Sequence, residues 1–479
     1  MSPSLATLLF VIGIACLFYF DRDKDVRVSK ALWIPMLWLF ICLSRSVSQW
    51  LGMSPPPEDM ATVYLEGSPI DRAVFIGLEV AALIVVVARR RVGSILAQNW
   101  PICLFFSYAA LSIAWSDFPM VTLKHWIKGI GDLMMVLIVL SESNVPQAIE
   151  RMFTRLAFVL VPLSVLFIKY YPQLGRYLNL SWNEEPVGVA TQKNSLGELC
   201  DFLGLALLWR FRTAYNDRED PKRKRRMLAL GAVLAMIVWL LWMCNSMTSI
   251  CALSMAGGVM LVSTKPSFRR RRYAIHVMVA CVLVCTIYAL FFQSSGDLIQ
   301  SLGRNPTLTG RTDIWELVLS MPSNRALGVG YESFWLGPRL QKIWDTIPGL
   351  RLNESHNGYI EVLITVGWIG MGLLLCVVAM GYRNAIAHYR RDPYAGALRI
   401  AWFIAPLITG FTEAAFRVMG VPWIIFLLAT TNCRWGTARQ SVRSNRPTEQ
   451  SQLTPKEPGS IEAEVPKDWD AVSPAQSRL

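Results

Sequence analysis

One histidine, a handful of cations and a few intramembrane carboxylates are the residues of this sequence whose types and spacing could do chemistry. His356 lies in Asn353-Glu354-Ser355-His356-Asn357-Gly358-Tyr359-Ile360-Glu361, where a long polar segment ends and an apolar one begins. A neutral imidazole there can accept a proton from a hydroxyl. The positive end of the following helix would tend to keep it neutral. Alternatively, Ser355 or Asn353 caps that helix and His356 is an ordinary polar residue. The other histidines are His125 on the amphipathic stretch 121–130, His276 near a helix end and His388 in a basic segment.

The cations come next. Arg311 opens Arg311-Thr312-Asp313-Ile314-Trp315 after Gly310, and Arg176 follows Gly175. Lys193 and Asn194 open a helix in Gln192-Lys193-Asn194-Ser195-Leu196-Gly197, Arg45 sits inside the second apolar block, and Arg417 lies between the last two blocks. A cation at the edge of hydrocarbon costs on the order of 2.5–3.5 kcal/mol on insertion scales, so such residues usually face a polar cavity. Several converging would suit a pyrophosphate, which guanidinium binds bidentately, and the helix start at Lys193 adds donors for an anion. Snorkelling or local pairing is the alternative, for instance Arg417 with Glu413 at i, i+4. Glu79, Glu198 and Asp201 fall in apolar blocks, either paired with the arginines or relaying protons as in a transporter. The sequence has no P-loop, no dinucleotide fingerprint, no HExxH and no CxxC, and its ten cysteines lie in or beside apolar blocks. No metal or cofactor is expected, and energy for any group transfer would arrive with the substrate.

The elements that position these residues are membrane helices. Of 479 residues, 53% are hydrophobic and 17% charged, against ~25% charged in an ordinary soluble domain. Apolar blocks near the ~20 residues needed to cross a bilayer recur at 4–20, 31–50, 73–88, 100–116, 129–141, 156–170, 194–209, 227–244, 249–264, 274–292, 357–380, 400–412 and 419–431. The expectation is an all-α polytopic bundle of about 12–13 transmembrane helices, with the last two short enough for one to be re-entrant. Alternating ~10-residue segments of a β-barrel are absent. The net charge of +13 sits between the blocks, which argues against nucleic acid. Basic clusters at 21–30, 89–91, 151–155, 210–226, 265–272, 383–399 and in the tail fall on one side, which the positive-inside rule makes cytoplasmic. The N-terminus is then outside, and it lacks the basic region of a cleaved signal. The outer segments are 51–72, with Glu58, Asp59 and Glu66, then 171–193, then 293–356. The last is too long for a mere connector, and its patterning predicts short helices around Asp313–Met321 and Trp335–Trp344. The domain runs over 1–433, and the composition of 434–479 predicts a disordered cytoplasmic tail.

The order Lys193-Asn194, Gly310-Arg311…Trp315, Gly328-Val329-Gly330, His356-Asn357-Gly358-Tyr359 and Gly367-Trp368-Ile369-Gly370 resembles the O-antigen ligase family, which includes polysaccharide polymerases. Asp21-Arg22, Ala31-Leu32-Trp33-Ile34-Pro35, Ser44-Arg45-Ser46-Val47-Ser48-Gln49-Trp50, Glu66-Gly67-Ser68-Pro69 and Trp115-Ser116-Asp117-Phe118-Pro119 resemble its exopolysaccharide-production branch. The resemblance covers residues 1–435 and departs from better-known ligases by an extra N-terminal span. It implies a multi-pass glycosyltransferase of the bacterial inner membrane with its active site facing the periplasm. The enzyme would move a glycan from a polyprenyl-pyrophosphate carrier to an acceptor hydroxyl, without metal or nucleotide. His356 would be the base and Arg311 would hold the diphosphate, with Arg176, Lys193, Asn194, Arg45 and Arg417 as further substrate-binding candidates. The acceptor would be a second lipid-linked glycan in a polymerase or a lipid A-core in a ligase. A transporter or flippase of lipid-linked glycans is the alternative from another class; it would employ Glu79, Glu198 and Asp201 but leave the long loop and its histidine without a task.

Overall fold

The structure, a computed structural model, describes residues 1–22, 28–53, 68–178, 183–271, 273–291, 311–321, 323–347 and 352–433. Glu58, Asp59, Glu66, the stretch 292–310 and the tail 434–479 lie outside the described residues.

Each of the thirteen apolar blocks falls on a helix. Lipid offers backbone amides no partner, so a helix that closes its own hydrogen bonds is the available solution. Pro3–Phe20, Val145–Tyr170, Arg223–Cys244 and Gly358–Arg391 are long and apolar enough to cross a membrane. Pro69–Ala88, Pro119–Leu140 and Lys193–Asn216 are comparably long but carry Glu79, Asp132, and Glu198 with Asp201. Shorter apolar helices include Met247–Ser263 and Pro393–Thr409. The protein is an all-α polytopic membrane bundle. A three-residue antiparallel strand pair, Arg176–Leu178 with Glu184–Pro186, was not expected from the sequence.

The helices differ in what surrounds them. Pro3–Phe20 buries only Ala6 and Leu17, as a helix facing lipid does. Val421–Thr430 buries every residue. At ~1.5 Å per residue its ten residues span about 15 Å, half the ~30 Å of hydrocarbon, so it ends inside the protein. The orphan carbonyls at its C-terminal end need donors. Arg399, 1% exposed, supplies them: Nε donates to Ala429 O at 2.6 Å and Nη2 to Thr431 O.

The second block does not run straight. Helix Trp33–Leu43 stops, and Val47–Trp50 restarts after a capping box in which Ser46 and Gln49 satisfy each other's backbone amides. Arg45 lies in the break.

The long helix Gly358–Arg391 is broken at Gly367, whose φ of 66° is non-helical. The break frees backbone groups that the segment 325–330 takes up. Val329 N donates to Ile364 O at 3.2 Å and Gly330 N to Thr365 O at 2.9 Å. Conversely, Trp368 N donates to Arg325 O at 2.9 Å and Ile369 N to Ala326 O at 3.2 Å. Glycine is required on both sides of this seam: a Cβ on Gly328 would lie 2.4 Å from Thr365 O, and one on Gly367 would lie 2.3 Å from Ala326 O. Helices Arg311–Ser320 and Gly337–Thr346 match the two short helices read from the patterning. Their apolar faces close a small core of Ile314, Val318, Phe334, Trp335 and Ile343 onto Ile364 of the long helix.

Candidate active site

The site grows from the start of helix Gly358–Arg391. The N-cap is Asn357, whose side chain accepts from Tyr359 N and Ile360 N at 3.0 and 3.1 Å, in place of Ser355 or Asn353. The residues before it are held from three directions. Trp315 Nε1 donates to Ser355 O at 2.9 Å, Ser355 Oγ donates to Asn357 O at 3.0 Å, and Ser355 N donates to Glu361. Trp335 Nε1 also donates to Glu361, at 2.9 Å. His356 is thereby fixed in a left-handed conformation, φ 51°. Of the four non-glycine residues with positive φ among the described residues, three lie at this site: Glu332, His356 and Met419. Such backbone costs of order 1–3 kcal/mol per residue and persists only where its surroundings enforce it.

The segment 410–420 closes the other side. Gly358 N donates to Gly410 O at 2.8 Å, and a Cβ on Gly358 would meet Ala415 N at 2.9 Å. Tyr359 packs between Phe411 and Phe416 with ring centroids 4.9 and 5.3 Å away. Met419 N donates to Asp132 Oδ2 at 2.7 Å, and Trp38 Nε1 donates to Asp132 Oδ1 at 2.8 Å. Close approach of these two segments sets Glu413 beside His356.

The polar groups form a connected chain. His356 Nδ1 lies 2.8 Å from Glu354 Oε1 and 3.4 Å from Glu413 Oε2. Glu413 Oε1 accepts from Asn194 Nδ2 at 2.9 Å and from Arg311 Nη2 at 3.1 Å, while Arg311 Nη1 donates to Thr412 O. Arg417 reaches Glu354 Oε2 at 3.2 Å, Glu332 Oε2 at 3.4 Å and Asn353 O at 3.3 Å. Arg311 and Trp315, four apart on one helix face, thus hold both walls around the imidazole.

The electrostatics reverse one sequence expectation. The helix dipole was expected to keep His356 neutral. Burial does push its pKa down, but the hydrogen bonds and charges of Glu354 and Glu413 outweigh it and raise it from 6.5 to about 9. Burial likewise pushes the Glu354 carboxyl up, and His356, then Arg417, overturn that and bring it to about 2. A protonated imidazole donates Nδ1–H to these carboxylates, which leaves Nε2 to meet a ligand.

Arg417 reaches Glu354 and Glu332, not Glu413, the partner that the local-pairing alternative named. Residues 410–420 are turns, so i, i+4 spacing brings nothing together there. Arg311, Asn194 and Arg417 join His356 through the carboxylates. Three other candidates are engaged elsewhere. Arg45 donates to Gly188 O at 3.1 Å, to Ala190 O at 3.3 Å and to Leu174 O. Arg176 pairs with Glu184 at 2.7 Å, and Lys193 with Glu185 at 2.7 Å. Glu198 lies in the field of Glu413 and Glu354, and Glu79 in that of Lys128. Asp201 is 1% exposed, and neither of its carboxylate oxygens has a hydrogen-bond partner among the described residues.

Sequence reasoning missed Glu332 and Glu354 as partners of Arg417 and Glu413 as the hub. The available signal was four carboxylates, Glu332, Glu354, Glu361 and Glu413, close to motif residues. Glu354, His356 and Glu413 also offer ligand atoms within 4.8 Å of one another, as a metal would need. Arg311 and Arg417 already neutralise those carboxylates, which disfavours a cation.

Residues 232–375 match the family model described as O-antigen ligase. The match contains Arg311, Glu332, Glu354 and His356, whereas Asn194, Glu413 and Arg417 lie outside it. The chain is also 26% identical, over 326 residues covering 65% of its length and 71% of the other protein, to the exopolysaccharide production protein ExoQ of Rhizobium meliloti strain 1021. These matches make residues 232–375 of this helical membrane bundle similar to the O-antigen ligase family, and most of the chain similar to an exopolysaccharide production protein.

Proposed function

We propose that this protein is a glycosyltransferase that moves a glycan from a polyprenyl-pyrophosphate carrier to an acceptor hydroxyl at the periplasmic face of the bacterial inner membrane. One observation carries the reading: an imidazole and a guanidinium, His356 and Arg311, meet on the same carboxylate, Glu413. One is suited to the hydroxyl and the other to the diphosphate.

The acceptor oxygen attacks the sugar carbon that carries the diphosphate. The bond from that carbon to the diphosphate oxygen breaks, and the hydroxyl proton passes to His356 Nε2. Arg311 and Arg417 each hold a carboxylate in place of a ligand. A diphosphate presents the same charge-assisted acceptors, so it can exchange for Glu413 or Glu354 without leaving a cation bare. Neutralising the leaving group stabilises charge as it develops, usually the largest catalytic term. Asn194 keeps Glu413 in place during the exchange. Because Glu354 and Glu413 hold His356 protonated up to about pH 9, the base form is the minority species at neutral pH. Transfer should therefore quicken as pH rises toward that value.

The acceptor, a second carrier-linked glycan or a lipid A-core, distinguishes polymerase from ligase. The similarity to an exopolysaccharide production protein supports the polymer side. The test is transfer by the purified protein from a carrier-linked oligosaccharide to defined acceptors, without nucleotide or metal. No product with wild-type protein would sink the reading.

Asp201 favours a second reading, transport of the carrier-linked glycan. A buried carboxylate with no hydrogen-bond partner among the described residues, inside a membrane helix, is what proton coupling uses. Carrier-linked glycan that accumulates on the inner face after His356→Ala would support transport; accumulation on the outer face would support transfer.

A further inference from the structure

Helix Pro119–Leu140 contains His125, an imidazole that the transfer chemistry leaves unused. It also carries Thr122, Gly129 and Asp132, and steps of three, four and three residues put all four on one face. That face holds residues 331–333 in reverse order. Thr122 Oγ1 lies 2.7 Å from Ser116 Oγ, which donates to Ser333 Oγ at 3.2 Å. His125 Nδ1 stands 3.1 Å from Glu332 O, and because a carbonyl only accepts, the ring nitrogen donates. A Cβ on Gly129 would lie 3.1 Å from Tyr331 Oη, so the glycine makes room for that side chain. About two turns beyond His125, Asp132 accepts from Met419 N at 2.7 Å.

The two residues that this helix ties at their backbone, Glu332 and Met419, both have left-handed φ, 54° and 60°. Glu332 in turn grips the turn beside Met419. Its Oε1 accepts from Val418 N at 3.0 Å and its Oε2 from Arg417 Nε at 3.4 Å. At the other edge of the same guanidinium, Nη1 meets Glu354 Oε2 at 3.2 Å and Asn353 O at 3.3 Å. These two carboxylates on Arg417 therefore differ. Glu332 is fixed twice, at its carbonyl by His125 and at its carboxylate by the Val418 amide. Glu354 is shared with His356, a side-chain partner only, and can yield its place on Nη1 to a diphosphate.

We propose that His125 is a positioning residue: its hydrogen bond to Glu332 keeps that carboxylate on Arg417 Nε and so presents the Nη edge of the guanidinium to the carrier diphosphate. The inference rests on the reading that Arg417 meets a diphosphate, and it does not require that a glycan is transferred.

The test is equilibrium binding of a polyprenyl diphosphate to the purified full-length protein, with glycan transfer assayed on the same preparations. His125→Gln carries its amide one bond too far for Glu332 O, and it should weaken binding roughly three- to tenfold, the effect of one lost hydrogen bond. His125→Asn sets an amide N–H where Nδ1 stood and should bind like wild type. In an Arg417→Ala background the His125→Gln change should cost nothing more, because it acts through the guanidinium. Wild-type binding by His125→Gln, an equal loss in His125→Asn, or the same loss with and without Arg417 overturns the proposal. Should His125→Gln not fold, Glu332→Gln decides: it keeps an acceptor for Val418 N but loosens the grip on Arg417, so it should show the same loss and the same dependence on Arg417, and undiminished binding overturns the proposal. Binding that follows this pattern in a protein that transfers no glycan would sink the transfer reading alone. Normal transfer without the pattern would sink the His125 assignment alone, and a wild-type protein that does not bind the diphosphate would sink both.

Discussion

Arg45 and Arg311 are both arginines at the margin of the bundle, yet the structure uses them in different ways. Arg45 fills a break in a helix and donates to the carbonyls of Leu174, Gly188 and Ala190. Backbone carbonyls do not move aside for a ligand, so its charge is spent on holding the strand pair and the helix start at Lys193 in place. Arg311 donates to a carbonyl as well, but its second partner is Glu413, a side chain that already serves Asn194 and His356. A carboxylate partner can be exchanged for a diphosphate of the same charge sign. The identity of an arginine's partner thus separates a structural cation from one available to a substrate.

Breaking the exchangeable side should give the largest effect. His356→Ala should lower transfer by roughly 10²–10⁴-fold, and Arg311→Ala by a comparable factor, with the protein still in the membrane at normal amount. Normal turnover in either variant would remove the distinction. Glu354→Gln sharpens it through pH. His356 titrates at about 9 in the folded protein against its ordinary 6.5, so its ion pairing stabilises the fold fully below about pH 6.5 and is lost as pH rises through about 9. The base form gains over that same rise. Removing the Glu354 charge should shift the rising limb of the pH–rate profile toward acid, and an unmoved limb would show that the limb belongs to another group.

Breaking the fixed side should act on stability. Arg45→Gln leaves several carbonyls without a donor, at about 1–3 kcal/mol for each one left buried. The expected result is a lower melting temperature, with turnover per folded molecule close to wild type. A selective loss of donor binding would instead place Arg45 among the substrate contacts. Arg176→Gln should do least. Its partner Glu184 is 58% exposed, and exposed pairs contribute about 0–1 kcal/mol. Unchanged melting and unchanged turnover are expected.

The helices were legible because lipid imposes one rule on every apolar block, and that rule can be read locally. Arg311, Asn194, His356 and Arg417 were legible as polar residues at the edges of such blocks. Their partners were not, because Glu332, Glu354 and Glu413 come from segments that only packing brings together. The Arg417–Glu413 alternative assumed helical spacing where the chain makes turns. The His356 expectation weighed a helix terminus, about half a charge, without the two full charges that Glu354 and Glu413 set beside the ring. The break at Gly367 is hidden inside an apolar run, and its neighbours Trp368 and Ile369 give no sign that Arg325 and Ala326 will be their acceptors.

That break carries one more consequence. The stretch 325–330 is stitched to the interrupted helix by main-chain bonds in both directions, so it cannot lift away as a flap without breaking four of them. On the proposed glycan-transfer reading, Gly367→Ala should lower transfer from eleven residues away from His356 by unpicking that seam.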